Sequence, residues 1–145
     1  MKRIFTTVVA FLMLSVSVPA WAGDIIDSKA ALARIKTGEM TLMDIRSPQE
    51  WRQTGLPKGA MAITMHGPGG MAGFVANATK AVKGRKNQPI ALICARGWRS
   101  WRAANALRSA GFTEVINVRE GMLGNPLDGP GWLDRKLPTE PCKSC

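Results

Sequence analysis

The sequence has 145 residues, a length that fits one domain built around a single hydrophobic core. Its 20 Lys and Arg residues against 10 Asp and Glu residues give a net charge of +10, which favours anionic partners in general. The basic residues are scattered through the chain, and no nucleic-acid recognition motif accompanies them. We therefore expect no nucleic-acid partner.

Residues 1–22 have the pattern of a cleavable export signal. Lys2 and Arg3 precede a mostly apolar run over residues 4–18, and small residues stand at the positions that signal peptidases read before Gly23. The run contains Thr and Ser, so it suits a signal core better than a bilayer span. An uncleaved membrane anchor is the alternative interpretation.

Cleavage at this point would leave a mature protein in the periplasm that is not embedded in the membrane. We expect its domain to cover residues 23–137. Residues 138–145 contain two Pro and two Cys but no apolar pattern, so they are predicted to form an extended, mobile C-terminal tail.

Strands and helices alternate along the predicted domain. Short apolar runs bounded by Gly, Pro or Asp are typical of buried strands, and apolar residues three or four apart predict helices that pack on them. Strands separated by helices pair in parallel, so we predict an α/β fold whose parallel sheet has helices on both faces. The predicted strands cover residues 25–26, 40–45, 59–65, 90–93 and 114–118; the predicted helices begin at the caps Ser28 and Ser47, cover residues 71–82, and run from the cap Ser100 to Gly111.

Apolar periodicity also predicts the core. In the last helix Trp101, Ala104 and Leu107 are spaced to line one face. Aromatic side chains bury the most area of any residue type, so we assign every large aromatic with such spacing to the core. The set is Trp51, Phe74, Trp101, Phe112 and Trp132, the last by folding back onto the sheet.

Cys94 is the predicted reactive group. It follows a buried strand and precedes Arg96, Gly97 and Arg99 at the start of a helix, where unpaired backbone amides and the helix dipole favour an anion. These positive groups also favour the thiolate, which is the nucleophilic form of cysteine. The alternative is that Cys94 is only a small buried apolar residue.

The three cysteines are an odd number for an exported chain. A disulfide between Cys142 and Cys145 would leave Cys94 as a free thiol. Two further alternatives are that the tail pair is a relay that exchanges sulfur with Cys94, or that both thiols are inert. Two cysteines alone lack the ligands that zinc needs, so no metal site is predicted.

Two segments resemble the rhodanese family. Residues 44–51 are similar to its Asp-x-Arg-Ser-x-x-Glu-aromatic motif, and residues 94–100 to its Cys-x-x-Gly-x-Arg-Ser active loop. Residues 112–115 and 120–122 resemble the family's last strand and the turn after it. The resemblance implies a single-domain rhodanese of the exported type, with a five-stranded parallel sheet between helices and no cofactor.

The family moves a sulfane sulfur from a donor such as thiosulfate to a thiophilic acceptor such as cyanide or a thiol. The resemblance makes Cys94 the nucleophile that carries the sulfur as a persulfide. It places Arg99, with Arg96, on the sulfonate, and it gives Asp44 and Arg46 a supporting role. The other residues that the resemblance assigns to substrate binding form the loop itself: Ala95, Gly97, Trp98 and Ser100.

The chain lacks the histidine that many members have in the segment similar to residues 55–60, and it has a bulky ring at Trp98, which is either a shield over the persulfide or a packing residue. His66 is interpreted as a loop residue rather than a catalyst. Two rival functions remain. A phosphatase of the cell-cycle type has five residues between its cysteine and arginine, against four here. A sulfur carrier would instead hand persulfide sulfur to a dedicated protein acceptor.

Overall fold

A computed structural model of the protein describes residues 25–143 and residue 145. The predicted export signal lies outside these described residues. Within them, no helix combines the length and the apolar character that crossing a bilayer requires.

The described chain contains seven short strands and four helices. Two strands that the sequence did not predict, β3 and β7, form a small antiparallel sheet of their own. The strands are β1 (Ile25–Ile26), β2 (Thr41–Asp44), β3 (Leu56–Pro57), β4 (Met61–Ala62), β5 (Ile90–Ile93), β6 (Val115–Val118) and β7 (Thr139–Glu140). The helices are α1 (Ser28–Lys36), α2 (Pro48–Thr54), α3 (Gly70–Ala81) and α4 (Trp98–Ser109).

The main sheet has five strands in the order β1-β6-β5-β2-β4, and every pair is parallel. Strand β5 lies at the centre and is buried along its whole length, which explains its uninterrupted apolar sequence. In the register of β2 and β5, Asp44 is opposite Ile93. The residues that follow both strands therefore meet at the same edge of the sheet, which is where ligands bind in parallel α/β folds.

A hydrophobic core lies on each face of the sheet. Successive residues of a strand point to opposite faces, so Ile90 and Leu92 pack in one core while Ala91 and Ile93 pack in the other. Residues of α3 and α4 complete the first core, and α1 together with Trp132 completes the second. The predicted α/β architecture, a five-stranded parallel sheet with helices on both faces, is confirmed.

Two predicted helix caps are wrong. The N-cap of α1 is Asp27, whose carboxylate accepts a hydrogen bond from the Ala30 amide at 2.9 Å, and Ser28 is already helical. Helix α4 begins at Trp98 after Gly97, not at Ser100. Ser100 lies buried in the first turn, where its hydroxyl has other partners. The capping box of α2, by contrast, is formed by Ser47 and Glu50 as the sequence predicts.

The assignment of Trp101 to the core is also wrong. Its side chain is 55% exposed, whereas the other four predicted core aromatics are buried. The buried face of α4 consists of Ser100, Ala103, Ala104 and Leu107, a helical repeat that begins one residue before Trp101. One residue is about 100° of rotation, so this shift turns Trp101 towards solvent.

The predicted strand over residues 59–65 is much shorter in the structure. Only Met61–Ala62 pairs regularly with β2, while the preceding β3 pairs with β7 in the tail. Gly59 has a φ of 82°, and the Ala60 amide donates to the Pro57 carbonyl, so a turn separates β3 from β4. A strand of two residues is too short to show an alternation of apolar and polar residues, so the sequence does not predict the β3–β7 pairing.

The C-terminal tail, predicted to be mobile, makes specific contacts with the domain. Besides the β3–β7 pairing, the Gly59 amide donates to Glu140 Oε1 at 2.9 Å, and Arg52 Nη1 donates to the Cys145 carbonyl at 2.6 Å. Cys142 and Cys145 form a disulfide, with Cα atoms 5.6 Å apart. These contacts attach the tail to the body of the domain.

Candidate active site

Cys94 lies at the carboxyl end of the central strand as a free, buried thiol. Its Sγ accepts a hydrogen bond from the Gly97 amide at 3.1 Å and one from the Ser100 hydroxyl at 3.3 Å. The Ser100 hydroxyl also lies 3.0 Å from the Gly97 carbonyl oxygen. Such donors stabilise negative charge on sulfur. Cys94 lines a cavity of about 220 Å³, and the other lining residues are Ala95, Arg96, Trp98 and Arg99.

The backbone of the loop turns its carbonyl groups away from this cavity. The Cys94 and Ala95 carbonyls accept hydrogen bonds from the Met122 and Leu123 amides, both at 2.8 Å. The Arg96 carbonyl accepts one from Nδ2 of Asn125 at 3.2 Å. In a trans peptide the N–H group points opposite to the C=O group, so the amides of residues 95–97 point away from these partners, and the Gly97 amide donates to Cys94 Sγ. The loop is thereby a preformed set of donors.

Close backbone packing holds the loop in this shape. Gly97 has a φ of 85°, and a Cβ added there would overlap the Arg119 carbonyl oxygen. Gly121 has a φ of 67°, and its added Cβ would lie 2.6 Å from the carbonyl oxygens of both Cys94 and Ala95. Only glycine fits at either position, because both the dihedral angle and the space exclude a side chain.

Asn125 is a site residue that the sequence reasoning missed. Its Nδ2 donates to the Arg96 and Arg119 carbonyls and to Asp128, while its Oδ1 accepts from the Leu127 and Asp128 amides. An Asn whose side chain binds the amides two and three residues later forms an Asx-type turn. The Asn-Pro dipeptide at this position is a recognised signal of such a turn, although it does not identify the loop that the turn supports.

Arg99 makes its main contacts with Glu50 rather than facing the cavity alone. Its Nη2 donates to Glu50 Oε1 at 2.5 Å, its Nη1 donates to Glu50 Oε2 at 2.9 Å, and Nη1 lies 3.0 Å from His66 Nε2. The Arg99 guanidinium is the main cause that lowers the pKa of Glu50 to about 2, and Ser47 contributes further hydrogen bonds. The pKa of Arg99 is raised, mainly by Glu50 and to a lesser extent by Cys94.

Glu50 therefore has two roles, of which the sequence predicted one. Its Oε2 completes the capping box of α2 by accepting a hydrogen bond from the Ser47 amide, and the same carboxylate accepts hydrogen bonds from Arg99 at the start of α4. The pair ties two helices together beside Cys94. His66, interpreted from the sequence as a loop residue, lies on the exposed side of Arg99.

Asp44 and Arg46 form a fully buried ion pair. Arg46 Nη2 lies 2.6 Å from Asp44 Oδ2, and its Nε donates to both carboxylate oxygens at 3.0 Å. The guanidinium also donates to Thr54 Oγ1 and to the Gly55 carbonyl, so it joins the end of β2 to the end of α2. Neither side chain lines the Cys94 cavity. The pair holds α2, and with it Glu50, in place.

Arg96 and Trp98 lie on the rim of the site. Arg96 Nη1 donates to the Gly124 carbonyl at 3.1 Å, and the Trp98 side chain is 63% exposed. Both residues line the Cys94 cavity on one side and a second cavity on the other. The structure thus places Trp98 between two cavities, largely exposed to solvent.

The Cys142–Cys145 disulfide lies outside the Cys94 cavity. Cys142 lines a cavity formed with residues 51–55 and 139–141, and none of the residues around the Cys94 cavity comes from the tail. Among the described residues, no three His, Cys, Asp or Glu side chains are grouped closely enough to hold a metal ion.

Comparison with known proteins identifies the family. The rhodanese-like domain profile matches residues 27–124. The uncharacterized RP600 homolog of Rickettsia rickettsii is 29% identical over 119 residues, which are 79% of this chain and 94% of the relative.

Solved structures have the same fold. The Alr3790 protein of Anabaena sp. superposes with a TM-score of 0.63 and 26% identity, over 81% of this chain and 93% of that one. The polysulfide-sulfur transferase of Wolinella succinogenes shares the fold at 22% identity, with a TM-score of 0.56 over 83% and 80% of the two chains. With a profile that covers most of the domain and a cysteine loop at the expected edge of the sheet, this chain belongs to the rhodanese-like domain family.

Proposed function

We propose that the protein is a sulfurtransferase that uses thiosulfate, or a persulfide, as its sulfur donor. In the first step the Cys94 thiolate attacks the outer sulfur of thiosulfate. A new S–S bond forms, the S–S bond of thiosulfate breaks, and sulfite leaves with its electron pair. In the second step cyanide or a thiolate attacks the outer sulfur of the Cys94 persulfide. Cys94 leaves as the thiolate, ready for another cycle.

One observation carries this proposal: the donors of the loop converge on a single sulfur atom. The Gly97 amide and the Ser100 hydroxyl both reach Cys94 Sγ, and the carbonyls of residues 94–96 are bound on the opposite side. A persulfide places its negative charge on the outer sulfur, one bond further into the cavity. Loop amides fixed around that position would stabilise the charge without any rearrangement during transfer.

The loop size supports sulfur over phosphate. Only four residues separate Cys94 from Arg99, against five in the cell-cycle type of phosphatase. The sulfonate of thiosulfate would bind at the outer end of the cavity, near Arg99 and Arg96, where water still reaches it.

We further propose that the protein acts in the periplasm. The support is the signal-like pattern of residues 1–22 together with the Cys142–Cys145 disulfide, which persists in oxidising compartments. The sulfur-carrier hypothesis receives no support from the tail, because the disulfide lies in a different cavity from Cys94.

Intact-mass measurement tests the function. Incubation of the protein with thiosulfate should add the mass of one sulfur atom, and cyanide should remove it with formation of thiocyanate. Cys94→Ser should gain no sulfur. The matched control is Cys142→Ser/Cys145→Ser, which should gain sulfur and turn over cyanide as the unchanged protein does. If the mass of the unchanged protein does not rise, the proposal is wrong.

A further inference from the structure

We propose that the domain docks on an anionic membrane surface through a patch beside its active loop. The patch consists of the apolar side chains of Ile25, Trp98 and Trp101, which line a cavity of about 260 Å³, and of the arginines around them. We call it the tryptophan patch. This inference goes beyond sulfur transfer, because it concerns the place where the domain works and holds for any sulfur donor.

The tryptophan patch exposes large apolar side chains. Trp98 and Trp101 are 63% and 55% exposed, and their spacing of three residues places them side by side on α4. Ile25, on the edge strand β1, is 54% exposed and lines the same cavity. By contrast, Trp51 and Trp132 are buried. Contiguous exposed apolar groups mark an interaction surface, and tryptophan is enriched where proteins meet the headgroup layer of a membrane.

The charges around the tryptophans are mainly positive. Arg96 and Arg119 line the cavity, and the exposed Arg102 follows the first tryptophan by one helical turn. Asp128, which also lines the cavity, accepts a hydrogen bond from Asn125 at 2.9 Å and lies 3.9 Å from Arg119. Its charge is therefore offset within the protein. The arginines can bind lipid phosphates while their carbon stems cover apolar surface.

The wider surface around the patch has the same sign. Residues 51–113 contain ten Lys and Arg residues and no Asp or Glu, whereas all ten acidic residues lie in residues 24–50 and 114–140. The acid-free segment includes both α3 and α4, which pack in the same core on one face of the sheet. The charged side chains of that helical layer are therefore all positive. A negative bilayer surface attracts each Lys or Arg that comes near it.

Charge and chain direction favour a membrane over other occupants of the patch. A second copy of the domain would bring two positive surfaces together, which is unfavourable. The described chain begins at Ile25, inside the patch, and follows the mostly apolar run of residues 4–18 by seven positions. Seven residues span at most about 25 Å when extended. An export segment that enters the bilayer would therefore bring the patch close to the lipid headgroups.

Docking through the patch would bring the active site to the membrane surface. Arg96 and Trp98 line the Cys94 cavity as well as the cavity of the patch, so the two cavities adjoin. Cys94 would then exchange sulfur at the boundary between water and lipid. No helix has to cross the bilayer for this, because the contact is with its surface.

Vesicle binding of the chain that starts at Gly23 tests the proposal in the absence of the apolar run. This chain keeps every described residue. We expect it to sediment with vesicles of phosphatidylglycerol and phosphatidylcholine in equal amounts, and to bind vesicles of phosphatidylcholine alone about ten-fold more weakly. Tryptophan emission should shift to shorter wavelength on binding, and brominated lipids should quench it, because the exposed indoles enter the headgroup layer.

Two substitutions in the patch should weaken binding to the mixed vesicles. Trp101→Gln removes an exposed ring and should lower the affinity about ten-fold, while Arg102→Gln removes one charge and should lower it about five-fold. Both side chains are exposed, so the fold should be kept. The matched controls are Met61→Gln, at the opposite edge of the sheet, and Lys36→Gln, on its other face; both residues are exposed, and each affinity should stay within about two-fold.

Three results would overturn the proposal. The first is a chain that sediments with neither kind of vesicle, and the second is an equal loss of binding in the patch variants and in their controls. The third is binding to poly-glutamate without binding to vesicles, which would identify an acidic protein as the partner. None of these results bears on sulfur transfer, because the gain of sulfur at Cys94 in the presence of thiosulfate does not require the patch.

Discussion

Glu50→Gln isolates the contact between α2 and the active loop. Glutamine is accepted at this position of a capping box, so the start of α2 should keep its hydrogen bonds with Ser47. What is lost is the charge that holds Arg99 through two short hydrogen bonds. The substitution therefore measures the ion pair rather than the cap.

The pKa of Glu50 sets the size of the effect. Its value falls from 4.5 to about 2 on folding, mainly because of Arg99. A shift of that size corresponds to an upper limit of about 3 kcal/mol in the free energy of unfolding. The two side chains are 27% and 28% exposed, so solvent screens part of the interaction, and about 1–2 kcal/mol is the expected loss in Glu50→Gln at neutral pH.

The pH dependence follows from the sign of the shift. A carboxylate with a lowered pKa stabilises the fold above its unfolded value of 4.5, and this stabilisation is lost as pH falls towards about 2. In urea denaturation, the free energies of unfolding of Glu50→Gln and of the unchanged protein should therefore become equal as pH falls over that interval. The control is Glu39→Gln, whose carboxylate is 59% exposed and 3.6 Å from Arg34; it should change little. A constant difference between Glu50→Gln and the unchanged protein at every pH would refute the assignment.

Three further substitutions test the loop and its supports. Gly97→Ala should lower turnover by about 100-fold or more, because the added Cβ displaces the amide that binds Cys94. The control is Gly84→Ala, where the glycine has a φ of 74° but the space for a Cβ is open. This control should lose only about 1 kcal/mol in the free energy of unfolding and keep its turnover. Arg46→Met should reduce the free energy of unfolding by about 3–5 kcal/mol in urea denaturation, and adding Asp44→Asn should restore part of it. Asn125→Ala should lower kcat by about ten-fold with little change in the KM for thiosulfate, because Asn125 binds the Arg96 carbonyl and so fixes the orientation of the loop. A change in KM without a change in kcat would contradict this prediction.

The sequence predicts the sheet and the position of Cys94 well because both depend on strong local patterns. An apolar run such as Ile90–Ile93 has few alternatives to a central strand, and its end fixes the position of Cys94. The capping box at Ser47 is equally local, and the structure has it as predicted. Trp101 was misassigned because Ser100 reads as a polar residue, although its hydroxyl is buried against Cys94.

The supports of the loop depend on contacts that leave little trace in sequence. The Met122 and Leu123 amides hold the Cys94 and Ala95 carbonyls, and backbone groups of any residue type could do so. The contact of Glu50 with Arg99 joins residues 49 positions apart, and a single sequence does not reveal such pairs. Long-range backbone packing and partner choice therefore come from the structure, whereas element type comes from the sequence.

Thiosulfate with an isotopic label on one of its two sulfur atoms tests the central claim most directly. If Cys94 attacks the outer sulfur, a label there should appear first on the protein and then in thiocyanate, and none should appear in sulfite. A label on the inner sulfur should leave entirely as sulfite, and Cys94→Ser should retain neither. Label from the inner sulfur on the protein, or thiocyanate formation that bypasses a labelled protein, would contradict the proposed persulfide on Cys94.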